Sequence, residues 1–340
     1  ANAGFREGTT HFIKEDIVRG IPVLYANYVG YDMVSHYAGP DSPDALGTLV
    51  AIDRQIRKIY RTINKRARKH YDLIILSDHG QSASTPFKSL NNKTLPDIIG
   101  EALQKRTVER FGRTAELGYF DTLLREIQRA DKMYSTRSTR TSRRTLERLR
   151  EKISKTEKDE KDEKDEDGFI VCASGNLAHV YFTEFPERLT TEYLMKHHSD
   201  LLRLLVMKPG IGFIITKREN GEILMIGKNG MRKLKSGEVE GEDPLLPYIT
   251  GSDGEHTARA LATMADYPHS GDLIVNGGFL EDGSVATFEK QAGTHGGLGG
   301  AQTESFIIYP RYNRGKLRRM QSPSEVHEFL HGMLEPINPT

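Results

Sequence analysis

The chain has one cysteine and no tryptophan, and its charges almost cancel, for a formal net charge of +1. The lone Cys172 excludes a disulfide framework and a metal cluster built from several cysteines, although it does not define the cellular compartment. The small net charge provides no overall field that would select nucleic acid or an anionic membrane. With 340 residues, the chain is long enough for one large domain or two smaller ones.

Long apolar runs are also absent. A membrane-spanning helix needs about 20 apolar residues, and the longest candidate, residues 201–216, is interrupted by Arg203 and Lys208. The sequence contains no signal peptide. It opens at Ala1 rather than at methionine, so we expect a piece of a longer protein whose targeting or membrane segments could lie upstream. Localisation therefore stays open, with membrane association through such a segment as one option.

The most informative stretch is a strand-like segment, residues 72–77, whose apolar residues 73–76 are soon followed by Asp78, His79 and Gly80. Such a short run predicts a strand buried on both faces, as in a parallel sheet. Functional groups in open α/β sheets gather where strands end. A carboxylate beside an imidazole is a suitable ligand pair for zinc.

A second apolar run, residues 21–30, is followed by Asp32 and His36. In a helix, side chains four residues apart share a face, so these two could bind one cation. A capping aspartate and a surface histidine are the alternative. Residues 21–30 are predicted to be a strand, and a long amphipathic helix at about 44–70 would join it to the strand at 72–77. The basic side of this helix is either a phosphate-binding patch or a solvated face. A right-handed crossover would bring both motifs to one edge of a parallel sheet.

Residues 111–167 differ in character from the rest of the chain. The run at 158–167 contains only Lys, Asp and Glu and cannot bury enough apolar surface to order itself. We therefore predict a first core part at 1–110, a charged and partly disordered insertion at 111–167, and a second core part at 168–340. A cap-like segment is expected at about 184–265. Aromatic residues are too scarce in the insertion to indicate a nucleic-acid partner.

A glycine-dense loop at 293–300 contains His295. The loop lacks the lysine and serine of a P-loop, so a phosphate cradle is not indicated. The glycines would instead let the backbone carry His295 close to another group.

These strings together resemble the alkaline phosphatase superfamily, and most closely its type I phosphodiesterase/nucleotide pyrophosphatase branch. The similarity rests on GYDMVSH at 30–36, SDHG at 77–80 and THGG at 294–297, with ASGNLAH at 173–179 as further support. It covers most of the chain outside 111–167. It implies an α/β fold: a mostly parallel sheet with helices on both faces, in an alkaline-phosphatase-like core with a cap or insert region.

The resemblance also implies two zinc ions, or another divalent metal. Asp32, His36 and His295 would hold one ion, and Asp78 and His79 the other. In the family, the second ion also takes an upstream aspartate and the oxygen of a catalytic Thr or Ser. No counterpart precedes Asp32, so we expect the nucleophile to lie upstream of residue 1. His179 is either a substrate contact or a satisfied buried histidine.

The expected function is zinc-dependent hydrolysis of phosphodiester or phosphomonoester bonds, with a small phosphate ester, a lipid or a nucleotide as substrate. The isolated chain could be inactive without the upstream nucleophile. A catalytically silent metal-binding domain of a larger, membrane-anchored protein is the alternative. Sulfatase or phosphomutase chemistry is a third option, but Cys172 lies inside a predicted strand and is a poor sulfatase nucleophile.

Overall fold

A computed structural model of the chain describes residues 2–103, 108–111, 168–249, 254–310 and 320–334. For residues 2, 3 and 108–111 the description covers the backbone. The predicted insertion at 111–167 lies outside these ranges, apart from Phe111. The three-part division of the chain stays a prediction.

The α-helices are α1 (Asn2–Arg19), α2 (Gly30–Ala38), α3 (Pro43–Arg66), α4 (Phe87–Asn91), α5 (Leu95–Leu103), α6 (Thr191–His197), α7 (Ser199–Met207), α8 (Gly254–Asp266) and α9 (Pro323–Gly332). The strands are β1 (Ile75–Leu76), β2 (Ser82–Pro86), β3 (Val108–Phe111), β4 (Ile170–Ser174), β5 (Leu177–Tyr181), β6 (Ile211–Lys217), β7 (Ile223–Ile226), β8 (Gly230–Lys233), β9 (Val239–Gly241), β10 (Leu273–Gly277), β11 (Val285–Thr287), β12 (Gly293–Thr294) and β13 (Ile307–Ile308). None of the described helices combines the length and the hydropathy that crossing a bilayer requires.

The largest sheet has eight strands in the order β3-β4-β5-β10-β6-β7-β8-β9. Its pairs are antiparallel except for β3 with β4. Strands β4–β5 and β6–β7 form two hairpins of this sheet. Their turns contain Gly175 at φ +61° and Gly221 at φ +82°, in the left-handed region that glycine adopts without a Cβ clash.

Each face of this sheet has its own apolar core, because successive side chains of a strand point to opposite faces. On β10, the buried Leu273 and Val275 belong to a core shared with α5, α6 and α7, whereas Ile274 belongs to a core shared with α8. The expected helices on both faces are therefore observed here. Strands β6 and β7, from the predicted cap segment, lie in the same sheet as β5 and β10.

The fold is a mixed arrangement of helices and sheets, but the expected mostly parallel sheet is not observed. Among the described strand pairs, β3–β4 and β2–β11 are parallel and the others are antiparallel. Residues 21–30 contain no strand, and the run at 72–77 is reduced to β1, which pairs antiparallel with β13. The predicted β-α-β unit was wrong because an apolar run becomes a strand only where a partner accepts its backbone hydrogen bonds, and no described strand pairs with residues 21–30.

The long helix α3 was predicted in its position but only in part in its packing. Helix α3 confirms the long helix expected at about 44–70, but Leu46 and Leu49 of its apolar stripe are 47% and 42% exposed. Helix α1, which the sequence did not predict, packs on α3, where Gln55 Nε2 donates to Glu7 Oε1 at 2.7 Å, and Ile59 of the apolar stripe is 5% exposed. Helix α5 ends at Leu103, and strand β3 begins at Val108.

The buried carboxylate of Asp272 generates a prediction about stability. It accepts hydrogen bonds from the backbone N–H groups of Phe182 (2.7 Å) and Leu189 (2.6 Å), and so ties the segment after β5 to the start of β10. Asp272→Ala leaves both buried donors unpaired, and each should cost about 1–3 kcal/mol of unfolding free energy. Urea denaturation followed by circular dichroism measures the loss.

Asp282→Ala is the matched control, because Asp282 also accepts from a backbone N–H, that of Ser284, but is exposed to water. Its stability loss should be much smaller. Equal losses in the two variants would show that burial of the Asp272 contacts does not matter.

Candidate metal centre

Helix α2 confirms that Asp32 and His36 share a face. The helix runs from Gly30 to Ala38, and the four-residue separation brings Asp32 Oδ1 to 3.3 Å from His36 Nε2. Asp32 lies in the first turn, where the helix dipole favours a negative charge. The same helix packs on β12, since Ala292 N donates to His36 O at 2.7 Å.

The pairing of β2 with β12 brings two further histidines together. In this antiparallel pair, Thr294 lies opposite Ser82. His295, which follows β12, is therefore adjacent to the loop before β2 that contains His79. The two imidazole rings stack with their centroids 3.7 Å apart.

One carboxylate oxygen of Asp32 is the centre of the cluster. Its Oδ1 lies 3.3 Å from Nε2 of His36 and 3.3 Å from Nε2 of His295. Asp32, His79 and His295 each offer one potential ligand atom, and these three atoms lie within 4.8 Å of one another. All three residues are partly buried, so the cluster is shielded but still reachable from solvent.

Backbone carbonyls define the tautomers of two of these histidines. Nδ1 of His36 lies 2.8 Å from Gly293 O, and Nδ1 of His79 lies 2.8 Å from Gly80 O. Because a carbonyl oxygen can only accept, Nδ1 must carry the hydrogen in both rings. In the neutral rings, Nε2 is then a lone-pair donor, and His36 Nε2 faces the equally electron-rich Asp32 Oδ1. A proton or a cation is needed between them.

The electrostatics of the cluster favour a negative Asp32. Burial opposes its ionisation, but hydrogen bonds with His295 and His36 outweigh burial and hold the pKa of Asp32 well below its usual range. Burial likewise disfavours a charged His36, yet the Asp32 contact reverses this and raises the pKa of His36. The site therefore attracts positive charge.

A network of buried amide side chains holds the glycine loop that follows His295. Asn176 Oδ1 accepts from Gly297 N at 3.0 Å, and Asn276 Oδ1 accepts from Leu298 N at 2.8 Å. Gln302 Oε1 also accepts from Gly297 N, at 3.1 Å. The three amides are at most 2% exposed. Sequence reasoning assigned them no role, because nothing local marks an amide as buried.

The predicted site residues are only partly brought together. His79 joins Asp32 and His295, whereas the Asp78 side chain is 76% exposed and lies outside that group of three. The assignment of these residues to two separate ions stays a prediction. Sequence reasoning also missed Gln81, whose Nε2 donates to Asp32 Oδ1 at 3.3 Å.

The chemistry of the cluster suits a metal ion. One carboxylate and two imidazoles match the three protein ligands of a catalytic zinc site, which keeps one position open. The two Nδ1–H contacts leave Nε2 of His36 and His79 available for coordination, as such contacts do in metal sites. A second group of three His, Cys, Asp or Glu donors is not found in the described part of the chain.

Comparisons with known proteins agree with this chemistry. A model of the type I phosphodiesterase / nucleotide pyrophosphatase family matches residues 7–232. The match includes both sequence motifs at 30–36 and 77–80 and ends before His295. No curated protein and no solved structure matches the chain.

The close packing of Gly175 on His295 generates a second prediction. A Cβ at Gly175 would lie 2.1 Å from His295 O and 2.5 Å from Thr294 Oγ1, at a φ that disfavours alanine. Gly175→Ala should therefore lower the unfolding free energy by about 2–5 kcal/mol, measured by urea denaturation. In Gly221→Ala the φ is similarly positive but nothing lies within 4 Å, so only backbone strain of about 1–2 kcal/mol applies. Equal losses of unfolding free energy in Gly175→Ala and Gly221→Ala would contradict a close contact between position 175 and His295.

The surroundings of His179 generate a prediction about pH. Burial, and then the charge of Arg188, lower the pKa of His179 below its ordinary 6.5. Its Nδ1 accepts a hydrogen bond from Gly271 N at 3.0 Å, which a protonated Nδ1 could not do. These contacts are those of a satisfied structural histidine, and its role as a substrate contact stays a prediction.

Because the unfolded chain then binds the proton more tightly than the folded one, the free energy of unfolding should fall as pH drops through 6.5. In His179→Asn, the amide oxygen can still accept from Gly271 and does not titrate in this range. The acid-induced loss should therefore be smaller in the variant, as measured by urea denaturation at pH 8, 6.5 and 5.5. Parallel pH profiles for the two proteins would contradict a lowered pKa.

Proposed function

Because the chain belongs to the type I phosphodiesterase / nucleotide pyrophosphatase family, a family of phosphate-ester hydrolases, we propose that it is a zinc-dependent hydrolase of phosphodiester or phosphomonoester bonds. The substrate would be a small phosphate ester, a lipid or a nucleotide. The observation that carries the proposal is the convergence of Asp32, His79 and His295, three zinc-type donors, at one half-buried point.

The proposed ligand sets follow from the family, whereas the cluster brings His79, a ligand of the second proposed ion, beside Asp32 and His295 of the first. Asp32, His36 and His295 would hold one ion, and Asp78 and His79 a second. When bound, the ions would supply Lewis-acid stabilisation of phosphoryl oxygens and would lower the pKa of an attacking hydroxyl or water. Asp32 is central to this arrangement, because its Oδ1 already meets two of the histidine Nε2 atoms.

The chain's own residues would orient the ligands before any ion arrives. The carbonyls of Gly293 and Gly80 keep the hydrogen of His36 and His79 on Nδ1 and so direct Nε2 to the ligand side. Orientation of this kind reduces the ordering that binding and reaction would otherwise require.

The nucleophile is proposed to be a Thr or Ser upstream of residue 1. Within the described residues, Ser77 precedes the proposed ligand Asp78 and is half-buried, and its Oγ accepts a hydrogen bond from Phe306 N at 3.0 Å. Ser35 and Thr294, next to the proposed ligands His36 and His295, are completely buried, so neither could reach a phosphate ester. Ser82 is also buried, and its Oγ donates to Gly299 O at 2.7 Å. The isolated chain could therefore bind metal and substrate without turnover.

A catalytically silent metal-binding domain is the second candidate. The exposed Asp78 side chain favours it, because a complete second ion site is not assembled among the described residues. Such a domain would bind zinc through the same cluster and would hydrolyse no phosphate ester, even in the intact protein.

Zinc content is the direct test of the proposal. Elemental analysis of the purified protein should find about one tightly held zinc per chain, as for a single three-ligand site. His295→Ala should lose or weaken it, because the variant removes one of the three converging donors. His70→Ala is the control: its side chain is 83% exposed and pairs with Asp72, away from the cluster, so zinc content should not change.

Hydrolysis assays with chromogenic phosphodiesters and phosphomonoesters then separate the two candidates. Zinc-dependent turnover by the full-length protein supports the hydrolase. Zinc binding without turnover by that protein supports the silent domain. A folded protein that binds no zinc would overturn both.

A further inference from the structure

We propose that Gln81 is a positioning residue that holds the Asp32 carboxylate in place for a bound metal ion. The inference rests on the proposed metal centre and goes beyond it, because it assigns a role to a residue that is not a ligand. Gln81 lies between the candidate ligand His79 and strand β2, while Asp32 lies on α2. Its side chain therefore connects the two elements that carry the site.

The first observation is a hydrogen bond. Gln81 Nε2 donates to Asp32 Oδ1 at 3.3 Å. His36 and His295 approach the same oxygen, each through Nε2 at 3.3 Å. Asp32 Oδ1 is thus shared by one amide and two imidazoles.

The three contacts are not equivalent once an ion is present. A histidine that coordinates through Nε2 uses the lone pair of that atom and can no longer donate from it to Asp32. An amide N–H has no lone pair to give to a metal and continues to donate. Of the described residues that contact the Asp32 carboxylate, Gln81 is the one that can hold it both with and without an ion.

The second observation concerns Oε1, the oxygen of the Gln81 side-chain amide. Gln81 Oε1 is buried and has no hydrogen-bond partner among the described residues. A buried unpaired acceptor is unfavourable, and a purely structural glutamine could avoid this by turning its oxygen to solvent. Exchanging the two ends would not help, because Oε1 would then face the negative Asp32. The Asp32 contact therefore determines the orientation of the whole amide.

Metal affinity tests the proposal. Gln81→Met removes the donor and keeps the length of the side chain, and Gln81→Asn keeps an amide but shortens its reach. Each should weaken zinc binding about 10- to 100-fold, as loss of a group that orients a ligand does. The measurement is competition with a chromogenic chelator on the folded protein.

Gln291→Met is the matched control. Gln291 is also partly buried and also has a buried, unpartnered Oε1, but its Nε2 donates to Glu289 rather than to a candidate ligand. Zinc affinity should be unchanged in this variant. A role of Gln81 in stability alone would lower the urea midpoint and leave the zinc affinity of the folded protein at the wild-type value.

A double-mutant cycle in chelator-treated protein makes the test independent of zinc. If Gln81 holds Asp32, the stability effects of Gln81→Met and Asp32→Ala should be non-additive. Additive effects would overturn the proposal, whether or not the protein binds zinc.

The zinc measurements distinguish this proposal from the proposed function. Wild-type zinc affinity in both Gln81 variants would overturn the role of Gln81 and would leave the hydrolase proposal standing. Absence of zinc binding by the wild type would overturn the proposed function, while the cycle would still decide the Asp32 contact.

Discussion

The short antiparallel pairing of β2 with β12 holds the candidate site together. Two residues of β12 pair with β2, with Thr294 opposite Ser82, and this register stacks the rings of His79 and His295. A shift by one residue would send the side chains to the other face of the strand. The pairing thus connects parts of the chain about 200 residues apart, and the positions of the other cluster residues depend on it.

Close backbone packing fixes that register. Gly293 must be a glycine where β12 meets α2, because a Cβ there would lie 2.4 Å from Ser35 O. Behind the loop, the buried amides of Asn176 and Asn276 accept from backbone N–H groups of the loop. Buried amide oxygens would destabilise the protein if they lost these hydrogen bonds, so the two asparagines favour the one loop conformation that provides the N–H groups. The position of His295 is therefore determined by the eight-stranded sheet as well as by β12.

The local part of this site could be predicted from the sequence, and the long-range part only by resemblance. The four-residue spacing of Asp32 and His36 predicts a shared helical face, which α2 confirms. The predicted crossover from residues 21–30 to β1 was wrong, yet it placed Asp32 near His79 as observed. In the structure, Asp32 and His79 are brought together by β12, which lies between α2 and β2. This strand is two residues long and contains a glycine, so its sequence does not predict a strand. The contact of Gln81 could not be predicted either, because side-chain hydrogen bonds between distant elements leave no local pattern.

The two parts of the fold differ in how much core supports them. The eight-stranded sheet has an apolar core on each face, whereas the site depends on sheets of two and three strands and on α2. A two-stranded sheet contributes little stability by itself, and such weakly packed regions open more readily than the rest of a protein. An ion bound to Asp32, His36 and His295, as proposed, would connect α2 to the loop after β12 at a single point. Because anything that binds only the folded state stabilises it, the proposed metal would supply to this region the cross-links that its small sheets lack.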